Sequence, residues 1–572
     1  MMVMLSETAE RSLNQWLADP SIDEETKQEL KELSNDTTEL EDRFYRELEF
    51  GTGGLRGVIG AGSNRMNRYT VGKATQGFAK YILEQHQGEG QPSVVIAHDS
   101  RHFSPEFALE AALVLAANGI VAKLYPSLRP TPQLSFSVRH LAATGGIVVT
   151  ASHNPPEYNG YKVYNASGGQ LVPDEAERVI SYIQEISSLR EVKKLSQAEA
   201  EAEGLLVWLG EAEDEAFIET VASVSLNRDR IASEYAKDFN IVFTPLHGTG
   251  HHPVRQVLER IGFTNLHIVP EQAEPDAEFS TVKSPNPEER EAFTLAIELG
   301  EQVGADILIG TDPDADRMGA VVKDKNKKYF VLSGNQSGAI MTHYLLSQMK
   351  ERGELPSNGA VVKTIVTSEM GAVIAEHYGA QVFNTLTGFK YIGEKMDAFE
   401  ATGSHTYLFG YEESYGYLAG NYARDKDAVL AAMLICEAAA YYKAQGKTLY
   451  DVLQELYEQF GYFLEALQSR TLKGKDGVAQ IQSKMTDWRT SPPDEVAGIR
   501  VTEMQDYSKG LNGLPKENVL KFILEDGSWF CLRPSGTEPK IKVYFAVQGT
   551  SYEDAQARID RLIEAVMARV DA

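Results

Sequence analysis

The chain has little cysteine: two residues, Cys436 and Cys531, far apart in a length of 572. A disulfide framework is excluded, and no cysteine spacing suits a zinc site. Positive charge is also scarce. Lys plus Arg number 55 against 82 Asp plus Glu, a net charge of −27. A surface that negative repels nucleic acid and anionic lipid. An anionic substrate then needs a local cluster of basic residues working against the overall field. A long apolar run is missing as well. The most apolar stretch, 111–125, is broken by Asn118, Gly119 and Lys123, short of the roughly 20 residues a spanning helix requires. The start, MMVMLSETAERSLNQWLADP, has no basic region followed by an apolar core, so it does not read as a secretory signal. Cytoplasm is the expected compartment, without a membrane or nucleic-acid partner. What is present is ordinary for a folded protein: 42% apolar and 24% charged residues. At roughly 150 residues per domain, the length predicts about four domains.

Residues 5–47 are acidic, with Leu13, Trp16, Leu17, Leu30 and Leu33 at helical spacing, which predicts a helical N-terminal extension. Strand and helix then alternate. VVIAHD (94–99), IVAKLY (120–125) and GIVVTA (146–151) are apolar strands, with a helix over 104–118. NIVFTPLHGTG (240–250) opens a second unit that runs through ADILIG (305–310), and GAVVKTIVTS (359–368) with QVFNTL (381–386) forms a third. This rhythm predicts α/β units on mostly parallel sheets. WFCLRPSGTEPKIKVYFAV (529–547) and a helix over 552–570 predict a smaller α+β domain. The expected divisions are 1–225, 226–337, 338–457 and 458–572, with no repeat visible as identical residues.

Four motifs carry chemistry. In TASHNPPEYNGYKVY (150–164) an apolar strand runs straight into Ser152, and ligands of parallel sheets sit at the carboxyl ends of strands. Pro155 and Pro156 stiffen the loop, and His153 and Lys162 are donors nearby. A plain Ser/Asn turn is the alternative. In ADILIGTDPDADR (305–317), Asp312, Asp314 and Asp316 recur with period two. In extended backbone that puts three carboxylates on one side, where they repel unless a cation neutralises them. Oxygen ligands select a hard cation, and with phosphate present Mg²⁺ is expected. An EF-hand is excluded, since its sixth and twelfth positions are Arg317 and Lys323. A solvated acidic turn is the alternative.

FGYEESYGY (409–417) offers the acceptors Glu412, Glu413 and Ser414 between glycines, a loop suited to sugar hydroxyls or merely an exposed turn. In RPSGTEPK (533–540), Arg533 presents a planar fork for phosphate. Ser535 and Thr537 add hydroxyls, Gly536 lets backbone amides approach an anion, and Lys540 and Lys542 add charge. FGTGGLRG (50–57) places Arg56 in a glycine-rich loop. TGFK (387–390) and ARDKDA (423–428) supply Lys390, Arg424 and Lys426. HGTGHH (247–252) has no carboxylate or cysteine to complete a metal site and reads as a turn.

A serine at a strand end, a carboxylate loop, a polyol loop and a phosphate cradle fit phosphoryl transfer on a phosphorylated sugar. Two other readings stand beside it. DPDAD resembles the nucleophilic-aspartate loop of haloacid-dehalogenase-type phosphatases, with Asp312 as nucleophile, although those enzymes usually carry Thr or Val where Asp316 stands. A catalytically silent sugar-phosphate sensor is the third.

TASHNP, DPDADR, EES and RPSGTEPK, in this order, closely resemble the loops of the α-D-phosphohexomutase superfamily. Within it the chain is similar to the long bacterial phosphoglucomutase and phosphopentomutase-like branch, from about residue 45 to the end. The resemblance implies three similar α/β domains with mixed sheets and a C-terminal α+β domain around a central cleft. It implies interconversion of glucose 1-phosphate and glucose 6-phosphate through a phosphoserine at Ser152 and a glucose 1,6-bisphosphate intermediate. Mg²⁺ would be held by Ser152, Asp312, Asp314 and Asp316, with Arg56 and Arg317 adding charge and His153 and Lys162 moving protons. Thr387, Gly388, Lys390, Glu412, Ser414 and Lys426 would bind the sugar phosphate. Arg533, Ser535, Gly536, Thr537 and Lys542 would hold the phosphate that is not reacting. Two departures bear on substrate preference: Tyr411 stands where the sugar loop often has Gly, and Gly53 where the first loop often has Ser. The expected partner is a small sugar phosphate, and nothing in the chain sets an oligomeric state.

Overall fold

A computed structural model describes residues 5–51, 53–472, 477–535 and 540–572. The N-terminal extension is three short helices, Glu7–Ala18, Glu24–Glu32 and Thr37–Phe44. Each starts at a side-chain cap, Ser6, Asp23 and Asp36, that accepts an otherwise orphaned backbone N–H. Trp16, Leu30, Leu40 and Phe44 form their small core. Trp16 meets the rings of Phe44 and Tyr69 edge-on at 5.7 and 5.6 Å, which docks the extension on the first unit.

The apolar strands form parallel cores, as continuous burial demands. Ser93–His98 lies between Val121–Leu124 and Gly145–Val149, all parallel. Ile241–Thr244 lies parallel to Leu266–Ile268 and Ile307–Thr311. Gly359–Thr364 lies parallel to Gln381–Thr385 and Thr406–Tyr411. Each sheet then makes the same step: a buried parallel strand ends, the chain turns, and the next strand returns antiparallel beside it. The pairs are Gly145–Val149 with Tyr158–Tyr164, Ile307–Thr311 with Met318–Lys323, and Thr406–Tyr411 with Tyr417–Ala419. The sheets are therefore mixed, and the repeat lies in topology rather than in residue identity.

The fourth sheet is wholly antiparallel. Tyr462–Thr471 pairs along its length with Lys540–Gly549, which pairs with Trp529–Pro534. Helices Gly477–Thr490 and Tyr552–Asp571 cover it over a core of Trp488, Phe522 and Phe530, the two phenylalanines stacked at 4.7 Å.

The second and third units share one continuous core. Its centre is helix Ala428–Lys443, buried on nearly every side. Helix Glu211–Ser223 also joins this core through Phe217, Ile218 and Val221, whereas Leu206 and Leu209 still pack in the cores of the first unit. Residues 247–250 turn, as the HGTGHH segment predicts. His251 and His252, however, open helix His251–Ile261.

Candidate active site

The three repeated turns carry the expected motifs, and each contains a non-glycine residue with left-handed backbone: Ser152 (φ 52°), Ala315 (φ 49°) and Tyr415 (φ 63°). Such strain persists only where surroundings enforce it. At the serine turn the Thr150 hydroxyl accepts the Ser152 N–H at 2.9 Å. The main enforcer is Arg101, which sequence reasoning missed. Its buried guanidinium donates to four carbonyls of this one loop: Pro155 at 2.7 Å, Tyr158 at 3.0 Å, Ser152 at 2.5 Å, and Asn154. Asp99 holds Arg101 in turn, its Oδ1 accepting the Arg101 N–H at 2.9 Å and its Oδ2 lying 3.3 Å from Nε. Phe279 of the second unit lies under the guanidinium, 5.0 Å from the ring centre. The available signal was HDSR directly after a parallel strand.

Period two on an extended strand does not describe the aspartates. Residues 312–315 make a turn closed by the Ala315 N–H on the Asp312 carbonyl at 2.9 Å, and this turn brings the carboxylates together. One oxygen from each of Asp312, Asp314 and Asp316 lies within 4.8 Å of the others, and all three residues are buried. Asp312 Oδ1 accepts the N–H groups of Asp316 and Arg317 at 3.1 and 3.0 Å, and its Oδ2 accepts the Ser152 hydroxyl at 2.7 Å. Asp314 Oδ2 takes Lys162 Nζ and the Thr131 hydroxyl, both at 2.9 Å. Asp316 Oδ2 lies 3.0 Å from Lys426 Nζ and 3.3 Å from Lys162 Nζ.

Burial and the neighbouring carboxylates push Asp312 well above the usual range. Burial also opposes charge on Asp316, but Lys426, Lys162 and Arg317 outweigh it and hold that carboxyl low. Asp314 Oδ1 and Asp316 Oδ1 are buried with no hydrogen-bond partner among the described residues. Two orphaned acceptors in an all-oxygen cluster, with three carboxylates against two ammonium groups, fit a hard divalent cation.

His153 Nδ1 stands 3.2 Å from Ser152 Oγ. Burial, with Arg317 and Arg56 nearby, pushes its imidazole down to about 3. Arg56 donates to Asn154 Oδ1 at 3.1 Å. In the third unit Glu412 Oε1 accepts the Gly388 N–H at 3.0 Å, tying the sugar loop to TGFK. Burial and Glu413 push the Glu412 carboxyl up to about 7, against the pull of Lys426. Glu413 Oε2 accepts the hydroxyls of Thr364 and Thr367, both at 3.1 Å. Tyr411 turns into the core, where a Cβ on Gly338 would strike its ring at 2.3 Å and one on Gly371 its hydroxyl at 2.1 Å. That departure does not face the cleft. In the fourth unit Arg533 Nε reaches Glu517 at 3.2 Å, and burial beside Arg533 and Lys540 lowers the Lys542 amine. Ser535 donates its N–H to the Lys540 carbonyl at 2.7 Å. Gly536 and Thr537 lie outside the described residues.

One cavity of about 550 Å³ gathers these groups. The first unit contributes Arg56, Ser152, His153 and Lys162, and the second contributes Asp316 and Arg317. The third adds Thr387, Gly388, Glu412, Ser414 and Lys426, and the fourth Arg533 and Lys542. Six basic side chains therefore meet where a net-negative chain needs them. Asp312 and Asp314 lie buried beneath this lining. Lys390 stands outside it, its ammonium 5.2 Å from the Tyr391 ring centre. Arg424 is buried against Asp397 and Glu400. Glu288, Glu465 and Tyr544 also line the cavity, with no sequence signal of their own.

Three mixed α/β units and an antiparallel fourth, meeting at a serine, an aspartate cluster and a ring of basic side chains, define an enzyme of the phosphohexomutase class. The models of the phosphoglucomutase/phosphomannomutase α/β/α domains I, II and III and of its C-terminal domain match residues 47–190, 215–326, 333–460 and 481–565. The chain belongs to the phosphoglucomutase/phosphomannomutase family. It is 38% identical over 538 residues to a phosphoglucomutase of Staphylococcus haemolyticus, covering 92% of this chain and 95% of that one. Against a phosphoglucomutase of Staphylococcus aureus it is 35% identical, covering 93% and 96%. The fold is similar to that of Paramecium parafusin in its open form (TM-score 0.69, 19% identity, 91% and 95% covered). It is also similar to a family protein of Burkholderia thailandensis (TM-score 0.66, 18% identity, 90% and 96% covered). None of the chain's helices, among the described residues, is long and apolar enough to cross a membrane.

Proposed function

We propose that this chain interconverts glucose 1-phosphate and glucose 6-phosphate, with Ser152 as the phosphoryl carrier and glucose 1,6-bisphosphate as the intermediate. The observation that carries this reading is the Ser152 hydroxyl, 2.7 Å from Asp312, in a cleft reached by loops of all four units. Phosphorylated Ser152 loses its phosphoryl group to O6 of glucose 1-phosphate: the O6–P bond forms, the Oγ–P bond breaks, and the O6 proton leaves. The bisphosphate turns over in the cleft. Its O1 phosphoryl group then passes to Ser152 Oγ, O1 takes a proton, and glucose 6-phosphate departs. His153 and Lys162 flank the serine as the groups that move these protons. Arg56 and Arg317 offset charge on the transferring group. Glu412 and Ser414 hold sugar hydroxyls in both orientations, with Thr387, Gly388 and Lys426 around the sugar phosphate. Arg533, Ser535, Gly536, Thr537 and Lys542 hold the phosphate that is not reacting.

Asp312, Asp314, Asp316 and the serine oxygen would hold Mg²⁺. When bound it stabilises charge that develops on the phosphoryl oxygens. A nucleophilic Asp312 is disfavoured because both its oxygens are engaged, one by two N–H groups and one by the Ser152 hydroxyl. Two free, buried cysteines agree with the cytoplasm as the setting. A panel of glucose, mannose, ribose and glucosamine 1-phosphates, each with its bisphosphate, tests substrate choice. The kcat/KM for glucose 1-phosphate should exceed the others by roughly tenfold or more. Equal values would remove glucose as the preferred sugar.

A further inference from the structure

Between the third and fourth units lies a second cavity, of about 470 Å³, away from the cleft described above. Lys395, on helix Phe389–Thr402, and Lys521, on strand Leu520–Leu524, both line it. Lys521 is 6% exposed, and among the described residues its ammonium makes one hydrogen bond, to the Ile365 carbonyl at 2.6 Å. Its ammonium also sits 4.0 Å from the Trp529 ring centre. An ammonium has three donors and carries a full charge, and its burial is offset only by a well-placed counter-ion with hydrogen bonds to the remaining donors. The nearest carboxylate, Glu369, is 3.8 Å away and already engaged by Lys363 at 3.1 Å. Lys395 makes no salt bridge among the described residues; its ammonium stands 5.3 and 5.9 Å from the ring centres of Phe383 and Phe399. Asn384 and Gln505 add neutral polar groups to the lining, and Glu369 is its one acidic residue. In a chain of net charge −27, two cations without hydrogen-bonded carboxylates on one cavity wall form a built deficit of negative charge.

We propose that this cavity is a second anion site, taking a small organic anion with a phosphate or carboxylate group on Lys521 and Lys395. Burial, with Lys363 nearby, holds the Lys521 amine down at about 8, which agrees with a cation short of counter-charge. The two lysines belong to different units. An anion here therefore ties the third unit to the fourth, which carries Arg533 and Lys542.

The test is amine footprinting of the full chain. Trace acetylation with acetic anhydride, read by peptide mass spectrometry, is run in sulfate, in malonate and in chloride at equal ionic strength. No sugar phosphate is present, because glucose 1-phosphate itself carries the group assigned to this cavity; the peptides bearing Lys162, Lys426 and Lys542 report the active-site cleft separately. Sulfate or malonate should slow modification of Lys395 and Lys521 severalfold relative to chloride. Protection by sulfate assigns a phosphate-type ligand, protection by malonate a carboxylate-type one. Lys521→Met should weaken the protecting anion at Lys395 by roughly tenfold or more, the loss expected for one charge-assisted contact. Should that variant fail to fold, Lys395→Gln, at a half-exposed position, should weaken protection of Lys521 in the same way and leave basal activity unchanged. Equal modification in all three salts overturns the proposal, whatever the enzyme turns over.

Discussion

In the proposed reaction Ser152 and Arg101 divide the labour at the smallest scale: one side chain would react, and the other holds the backbone that presents it. Arg101 suits this because its planar fork reaches several carbonyls at once, whereas lysine offers three donors from a single point. Arg101→Lys keeps the charge and loses the fork. Its kcat should fall roughly tenfold to a hundredfold, as misplacing a nucleophile does, while KM for glucose 1-phosphate stays nearly constant. Steady-state kinetics beside a thermal melt check this; an unchanged kcat in a folded variant removes the positioning role. The contrast also marks what the sequence could tell. Ser152 and the three aspartates were legible because apolar strands deliver them into short polar motifs. Arg101 was not, because its partners are main-chain carbonyls of another segment, which no side-chain pattern records. Glu413 also lines the cavity, but its Oε2 is held by the hydroxyls of Thr364 and Thr367, a pairing the acceptor run does not record.

At the scale of elements, one step recurs three times: a buried strand, a strained turn, an antiparallel return. A turn at the end of a central strand exposes side chains on a rigid platform, which is why chemistry collects there. The apolar strands could be read directly, since burial on both faces requires continuous apolar runs. The return strands could not, because pairing direction is set by partners far away in sequence. The three helix caps at Ser6, Asp23 and Asp36 were readable signals that divide the extension into three helices rather than one region. The fourth unit also pairs consecutive strands antiparallel, Trp529–Pro534 with Lys540–Gly549, and Arg533 stands opposite Lys542 near the end of the first. Arg533→Ala should raise KM for the monophosphate more than it lowers kcat, because a contact made in both ground and transition states gives uniform binding. The loss in kcat/KM should amount to about 2–3 kcal/mol for a charge-assisted contact. Titration of initial rates measures it, and an unchanged KM would place the distal phosphate elsewhere.

For the molecule as a whole, four units contribute to one cleft, and a chain of net charge −27 concentrates basic groups there. Four separated motifs in one order foretold this convergence; the continuous core shared by the second and third units did not show, because it depends on how helices pack across sheets. The aspartate cluster makes a prediction at this scale. Exhaustive chelation should cut turnover by orders of magnitude, and restored Mg²⁺ should bring back both rate and a higher melting temperature, since an ion bound only by the folded state stabilises it. A melt indifferent to divalent ions would count against the cluster as a cation site. The central claim is that Ser152 carries the phosphoryl group. Its most direct test is mass spectrometry of the 140–165 and 305–320 peptides after dephosphorylated enzyme meets glucose 1,6-bisphosphate. The account predicts one phosphoryl group on Ser152, stable to hydroxylamine, and activity toward glucose 1-phosphate regained with it. A hydroxylamine-labile phosphoryl group on Asp312, or no label on either peptide, would contradict it.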